Sequence, residues 1–171
     1  TVVTGEGVFN PDTTALDRET GTGNPYGAYA FGAQVAVVEV DPEVGRVDVL
    51  EMCAAHDVGR TIHKVNTEGQ IDGGIAMGVG QALMENYVHL KTPSLTDYLL
   101  PTSADVPEVT SVLVEDPEPT GPFGAKGVGE PAMIPTLAAI ANGVYRATGV
   151  RVVRLPISPH VIAKAKAQPD V

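Results

Sequence analysis

The sequence is poor in cysteine and has no cluster of positive charge. Cys53 is the only cysteine among 171 residues, which excludes an internal disulfide and leaves too few thiols for a zinc or iron–sulfur site. Lys and Arg total 11 against 21 Asp and Glu, giving a net charge of −10. Nucleic acid and anionic membrane surfaces are therefore not expected as partners.

Long apolar runs are also missing. No stretch is apolar over a length that could span a bilayer, and we recognise no signal peptide. Apolar residues make up 43% of the sequence, which is typical of a globular chain. A single cysteine suits a reducing compartment, so we expect a cytoplasmic protein. The chain opens on TVVTGEG without methionine, as expected of a processed chain or of a piece of a larger protein.

The pattern of apolar and turn residues predicts a loop-like arm followed by one domain. Residues 1–30 are rich in Gly, Thr, Asn and Pro, which is typical of irregular structure. Residues 31–171 carry the strand and helix patterns. Strands are predicted at 33–41, 46–59, 109–116 and 150–156, with a hairpin turn, DPEVG, joining the first two.

Three helices are predicted, two between these strands and one after the last strand. One begins near Thr67, a second spans 131–149 with Gly149 past its end, and a short one starts at Ser158–Pro159. The order is therefore β-β-α-β-α-β. This order predicts an α+β two-layer domain with its helices packed on a mixed sheet.

The first helix combines a cap pattern with many glycines. Thr67 and Gln70 have capping-box spacing, and apolar residues follow at helical spacing: Ile71, Ile75, Val79, Ala82 and Leu83. Its interior also contains Gly73, Gly74, Gly78 and Gly80, although each costs about 1 kcal/mol relative to alanine. The glycines indicate that another backbone or a flat ligand packs very closely there.

The stretch GPFGAKGVGEP, residues 121–131, has the composition of an anion-binding loop. The backbone N–H groups of Gly127, Val128 and Gly129 can turn towards one point because glycine tolerates the necessary dihedrals. The helix predicted from Pro131 adds its positive end. The loop lacks the Lys-Ser/Thr ending of a Walker motif, so nucleotide phosphate is not implied.

Glu130 and Gln70 each allow two interpretations at this level. Glu130 stands at the predicted N-cap, where a carboxylate can simply cap its own helix, or it can serve chemistry beside the anion site. Gln70 completes the cap with Thr67, or it points its amide at a polar cofactor. The local pattern leaves the first pair about even and favours the cap for Gln70.

The remaining polar candidates point to no metal site. His56 and Asp57 are adjacent on a predicted strand and should face opposite sides of the sheet. His89 and His160 are isolated and are expected to be exposed. Cys53 is expected to be a buried small apolar residue. We therefore expect no direct protein ligand to a metal.

Four segments taken together resemble one known family. They are GNPYGAYAFGAQVAVVEVDPEVGRV, HDVGR, EGQIDGGIAMGVGQALME and GPFGAKGVGEP, in collinear order between about Gly23 and Ile162. This arrangement is similar to the C-terminal part of the molybdopterin-binding subunit in the xanthine dehydrogenase/aldehyde oxidase family of molybdenum hydroxylases. GAKGVGEP is the most specific of the four. The family often has Asn-Pro where this chain has His63–Lys64.

The resemblance implies roles for particular residues. Glu130 matches the family's catalytic glutamate, the general base near the metal. The backbone of Lys126, Gly127, Val128 and Gly129 matches the loop that lies against the cofactor, and Gln70 matches a glutamine that hydrogen-bonds the pterin–phosphate part. The implied cofactor is molybdenum–molybdopterin, in its simple form or as a dinucleotide.

The resemblance also implies a larger assembly. The family hydroxylates a carbon next to nitrogen or oxygen with water as the oxygen source. Its 2Fe–2S clusters and FAD are expected on other domains or subunits, together with the remainder of the molybdenum subunit. The expected substrate is an N-heterocycle such as a purine or nicotinate, and an aldehyde is the second candidate. The same residues would also suit a non-catalytic assembly subunit that keeps the fold, or a phosphate-binding domain of unrelated function.

Overall fold

A computed structural model describes residues 2–167. The elements are three strands, three α-helices and a short 3₁₀ turn, and their order is β-β-α-β-α-α. Their bounds are β1 Gly32–Asp41, β2 Arg46–Asp57, α1 Lys64–Leu83, β3 Glu108–Val114, the 3₁₀ turn Pro122–Gly124, α2 Ile134–Thr148 and α3 Pro159–Ala167.

The sheet is mixed, as predicted. Its strand order is β1-β2-β3, with β1 and β2 antiparallel and β2 and β3 parallel. The predicted hairpin is therefore present, and the Asp41 carbonyl accepts the N–H of Gly45 at its end. The α+β class and the packing of helices on one face of a mixed sheet are confirmed.

The core lies between the sheet and helices α1 and α2. Alternate residues of β2, among them Met52 and Ala54, are fully buried on this side because successive strand residues face opposite ways. They meet helical residues at the predicted spacing, and the buried cluster comprises Met52, Ala54, Ile71, Ile75, Val79, Ala82, Ala132, Ile140, Val144, Ile157 and Ile162.

The strand predicted at 150–156 is wrong. Among the described residues this segment has no regular structure and joins no strand. It folds back on α2 instead: the Arg151 guanidinium lies 3.8 Å from the centre of the Tyr145 ring and bonds Asn142 Oδ1 at 2.8 Å. Ile157 N–H then donates to the Ala82 carbonyl at 2.6 Å. Side-chain contacts with α2 thus replace the strand pairing that the apolar alternation suggested.

The predicted starts of the first two helices are also wrong. Helix α1 begins at Lys64, and its cap is His63, whose Nδ1 accepts the N–H of Asn66 at 3.2 Å. Thr67 instead donates its hydroxyl to the His63 carbonyl at 3.0 Å. Helix α2 begins at Ile134 after a turn, so Glu130 lies outside it, and the N-cap residue is Met133 instead.

The helix ends and exposed histidines are as predicted, whereas Cys53 is not. Gly149 ends α2 in the left-handed conformation, with φ 76°. The short helix α3 follows Ser158, and His89 and His160 are exposed. Cys53 is exposed, because it occupies an outward position between the buried residues 52 and 54 of β2.

The glycines of α1 allow close contact with the start of α2. A Cβ at Gly74 would lie 2.8 Å from Ala132 Cβ, and one at Gly78 would lie 2.5 Å from Thr136 Cβ. Gly73, in contrast, faces open space. For Gly74 and Gly78 the close neighbour is therefore another segment of the chain, one of the two interpretations offered by the sequence.

This packing predicts opposite effects at neighbouring glycines. Gly78→Ala must displace the buried Thr136, so the free energy of unfolding should fall by about 1–3 kcal/mol. Gly73→Ala meets nothing and removes chain entropy, so it should raise that free energy by about 0.5–1 kcal/mol. Urea unfolding of both variants measures the difference. Equal effects would contradict the proposed helix contact.

Residues 2–30 contain turns but no helix or strand, and their separation from the domain 31–171 remains a prediction. No helix within residues 2–167 has the length and apolarity needed to cross a membrane.

Candidate cofactor site

A groove of about 380 Å³ lies between the start of α1 and the segment 121–131, which we call the glycine loop. Residues from the segment that follows β2 also line the groove. Its lining residues are Val58, Arg60, Ile62, His63, Asn66, Thr67, Gln70, Ala125, Lys126, Val128 and Gly129. No acidic side chain is among them.

The groove brings together most of the residues that the sequence predicted for the site. Gln70, Lys126, Val128 and Gly129 line it, and a Cβ at Gly129 would lie 3.6 Å from Gln70 Oε1. Gly127 and Glu130 do not line it, although each adjoins a lining residue. Residues Arg60 and His63 were not predicted for the site. Arg60 belongs to HDVGR, one of the four segments that carry the family resemblance.

Hydrogen bonds between residues 58–60 and 124–126 hold the base of the loop. Lys126 N–H donates to the Val58 carbonyl at 3.0 Å, and Arg60 N–H donates to the Gly124 carbonyl at 2.8 Å. Gly59 lies between them with φ 62°, and a Cβ there would collide with the Gly124 carbonyl. Only glycine satisfies both conditions without strain, so this short pairing depends on Gly59.

Beyond this anchored base the loop presents free backbone donors. The N–H groups of Gly127, Val128 and Gly129 have no acceptor within residues 2–167. The first turn of α1 contains no acidic residue, so the positive end of that helix faces the groove uncompensated. Free N–H donors beside a helix N-terminus favour an anionic group.

Lys126 contributes its backbone to the groove, whereas its charge is used elsewhere. Its ammonium lies 2.6 Å from Asp57 Oδ2, and the two side chains are 6% and 7% exposed. Asp57 Oδ1 also accepts the N–H of Gly59 at 3.0 Å. The hydrogen bond to Asp57 raises the pKa of Lys126. The buried pair thus ties the loop to the end of β2.

His56 and Asp57 face opposite sides of the sheet, as predicted. His56 points into the core, where burial lowers the pKa of its imidazole, and Asp57 points towards Lys126. No three His, Cys, Asp or Glu side chains in the described part of the chain form a group that could hold a metal ion.

Comparison with known proteins identifies the family. A model described as the molybdopterin cofactor-binding domain matches residues 2–107. The chain belongs to this family. The matched region includes Gln70 and ends before the loop at 121–131.

Relatives extend the similarity over most of the chain. An aldehyde oxidoreductase of Megalodesulfovibrio gigas is 38% identical over 154 residues, which is 89% of this chain and 17% of the relative. A xanthine dehydrogenase molybdenum-binding subunit of Escherichia coli O157:H7 is 38% identical over 76% of this chain and 18% of its own. The solved aldehyde oxidoreductase of Desulfovibrio gigas superposes with a TM-score of 0.86 at 39% identity, covering 90% of this chain and 17% of that one. The chain therefore spans less than a fifth of the length of these relatives.

Molybdenum–molybdopterin, the cofactor of this family, fits the chemistry of the groove. It is an anionic group with polar edges, and the groove offers free N–H donors, the Gln70 amide and no competing carboxylate along its lining. Arg60 adds a positive side chain at the same place.

The Asp57–Lys126 pair predicts a specific response to acid. Burial raises the pKa of Asp57, but the hydrogen bonds from Lys126 and Gly59 and the Lys126 charge outweigh it, so the pKa lies below the ordinary 3.8. A lowered folded-state pKa means that the pair's contribution is complete above about pH 4 and is lost as the pH falls through the folded value. The free energy of unfolding should therefore decline in acid, by at most about 1.4 kcal/mol per pH unit for one proton.

Two variants isolate this contribution. Asp57→Asn should be less stable at neutral pH and should show a flatter dependence below pH 4, measured by urea unfolding at several pH values. Asp48→Asn removes the carboxylate of an exposed pair with Arg46 and should change little. Identical acid profiles for the wild type and Asp57→Asn would exclude a stabilising role for the pair.

Proposed function

We propose that this chain forms part of the active site of a molybdenum hydroxylase, with Glu130 as the general base. The observation that carries the proposal is the position of Glu130. It directly follows the groove residue Gly129, its side chain is exposed, and its carboxylate has no hydrogen bond or ion pair within residues 2–167. A carboxylate left without a structural task beside an anion site is suited to chemistry.

The chain's own residues would share the work. The N–H groups of Gly127, Val128 and Gly129 and the amide of Gln70 bind and orient the cofactor. A bound molybdenum centre would supply the acceptor for the two electrons that the substrate loses. Glu130 accepts the proton from the water-derived nucleophile as its oxygen bonds to the substrate carbon. Lys126 keeps the loop in place through Asp57.

Two substrate classes follow from the family. An N-heterocycle is the first candidate, in line with the relative named xanthine dehydrogenase. An aldehyde is the second candidate, and the similarity to an aldehyde oxidoreductase over 89% of the chain supports it. Reduction of the complete enzyme by a purine, by nicotinate and by a simple aldehyde separates the two classes.

The proposed enzyme requires further protein. The chain spans 17% of the aldehyde oxidoreductase that it matches, and its one cysteine cannot hold iron–sulfur clusters. We therefore infer that the rest of the molybdenum subunit, the 2Fe–2S clusters and the flavin are supplied elsewhere, in a cytoplasmic assembly. A non-catalytic assembly subunit would need no base, so the intact GVGEP segment with an unoccupied Glu130 carboxylate favours the enzyme.

Glu130→Gln is the sharpest test of the base. The amide keeps the size of the side chain and removes its basicity, so cofactor content should be unchanged. Positioned general bases contribute about 10²–10⁴-fold, and the rate at which substrate reduces the molybdenum centre should fall by that factor. Stopped-flow spectroscopy of the complete enzyme, with metal analysis beside it, measures both quantities.

Gln70→Ala tests the proposed contact between the groove and the cofactor. Because His63 caps α1, loss of the Gln70 amide should leave helix stability nearly unchanged and should lower cofactor content instead. A normal reduction rate in Glu130→Gln would sink the assignment of the base. Full cofactor content in Gln70→Ala would show that the groove is not held in the proposed way.

We infer that the remaining protein docks on the outer face of the sheet. Val35 and Val37 of β1 are 65% and 46% exposed, and Val112 and Val114 of β3 are 44% and 46% exposed. Cys53 lies on β2, between these two strands, and is the residue of β2 opposite Val35. Apolar positions across three strands are typical of a surface that another segment covers.

Substitution on this face tests the docking. Val35→Asp should reduce co-purification with the remainder of the molybdenum subunit by about tenfold or more, since a buried interfacial charge without a partner costs well above 1.4 kcal/mol. Val44→Asp places the same charge in the exposed hairpin turn, where the side chain is 63% exposed, and should have little effect. Equal recovery with both variants would argue against docking on the sheet.

A further inference from the structure

A buried polar network lies beneath the turn that carries Glu130. The Gln34 amide nitrogen on β1 donates to the Ala132 carbonyl at 2.7 Å and lies 2.9 Å from His56 Nε2. The Thr136 hydroxyl of α2 donates to Gln34 Oε1 at 2.6 Å. His56 is 2% exposed and Thr136 is fully buried. A glutamine from the sheet therefore bonds directly to the backbone two residues after Glu130.

These contacts allow one orientation of the Gln34 amide. A carbonyl oxygen only accepts, so the amide atom beside Ala132 must be the nitrogen. Its second hydrogen points at His56 Nε2, which then accepts and leaves the ring proton on Nδ1. Burial lowers the pKa of His56, which favours the neutral ring that this arrangement requires. The amide oxygen is satisfied by Thr136.

The network is costly for stability alone. His56 Nδ1 has no hydrogen-bond partner among the described residues, and burying an unsatisfied polar atom is unfavourable. Apolar side chains of similar size at these core positions would avoid that penalty. We therefore interpret the network as fixing the position of the Ala132 backbone, because it contributes less to the free energy of unfolding than an apolar core would.

The position of Ala132 is transmitted to Glu130 through a short and stiff connection. Only Pro131 separates them, and its ring fixes φ and restricts the preceding residue. The Glu130 carbonyl accepts the N–H of Met133 at 3.0 Å, which closes the turn. Ala132 is fully buried against Gly74 of α1. The Ala132 carbonyl also lies 3.2 Å from the Thr136 hydroxyl, so loss of Gln34 would remove the shorter of the two side-chain contacts that hold it.

We propose that Gln34, supported by Thr136 and His56, is a positioning residue that holds the 129–133 turn and so directs the Glu130 carboxylate. This inference rests on the proposed function of Glu130. Gln34 itself touches no substrate or cofactor in this scheme; it acts only through the backbone of the turn.

The test uses the complete enzyme with four variants. Gln34→Leu removes both donors, Thr136→Val removes the supporting hydroxyl, and Thr136→Ser keeps that hydroxyl. Thr148→Val is the matched control, because Thr148 lies on the same helix and donates its hydroxyl to the Val144 carbonyl at 2.8 Å, a bond that does not involve Gln34. Molybdenum content, kcat, KM and hydrogen exchange of the amides at 129–133 are measured for each.

The expected pattern distinguishes positioning from a structural role. Gln34→Leu should lower kcat by about 10- to 100-fold, the scale of a misplaced catalytic group, with KM and molybdenum content unchanged and faster exchange at 129–133. Thr136→Val should show a smaller loss of the same kind, and Thr136→Ser should restore most of the rate. Thr148→Val should match the wild type in all four measurements.

The outcomes separate this inference from the proposal beneath it. If Glu130→Gln slows the enzyme while Gln34→Leu and Thr136→Val behave like Thr148→Val in rate and exchange, the positioning role is wrong and the general base stands. If Glu130→Gln has no effect on the rate, both are overturned, whatever the exchange measurements give.

Discussion

The end of β2 is the constraint on which the candidate site depends. Two successive residues leave this strand on opposite faces, and each holds the glycine loop by a different means. His56 enters the core and meets the amide that bonds to Ala132, while Asp57 turns outward and pairs with Lys126. The loop between these two attachments can therefore leave its N–H groups unpaired without losing its place.

Much of the fold was predictable because its signals are local. The hairpin, the apolar spacing of α1, the glycine that ends α2 and the start of α3 each depend on a few neighbouring residues. The failures depend on contacts distant in sequence or on the environment of a whole face. Residues 150–156 alternate like a strand, yet the side chain of Arg151 packs on Tyr145 and binds Asn142. Cys53 was misjudged because alternation alone does not reveal which face of a sheet stays open.

The candidate site was predicted through the glycine loop and the family resemblance, and less through helix-end rules. The capping-box pattern at Thr67 is common in sequences, but here His63 is the N-cap residue, and its ring nitrogen accepts the N–H of Asn66. The family often has Asn-Pro at positions 63–64, where asparagine suits the N-cap and proline suits the first helical residue. This difference from the family therefore indicated the true start of α1 at Lys64. Nothing local could reveal Gln34, since its partners Ala132 and Thr136 lie about a hundred residues away.

The parallel pairing of β2 with β3 has a consequence for the order in which the molecule forms. The hairpin of β1 and β2 closes through near neighbours, whereas β3 begins at Glu108, after α1 and a long crossing. Parallel strands always need such a crossover, and distant contacts form slowly. The glycine loop follows β3, and it attaches at Asp57, the last residue of β2, and at Val58 just beyond that strand. The groove therefore depends on contacts between segments that are distant in sequence, and we expect it to close only after the sheet that supports it is complete.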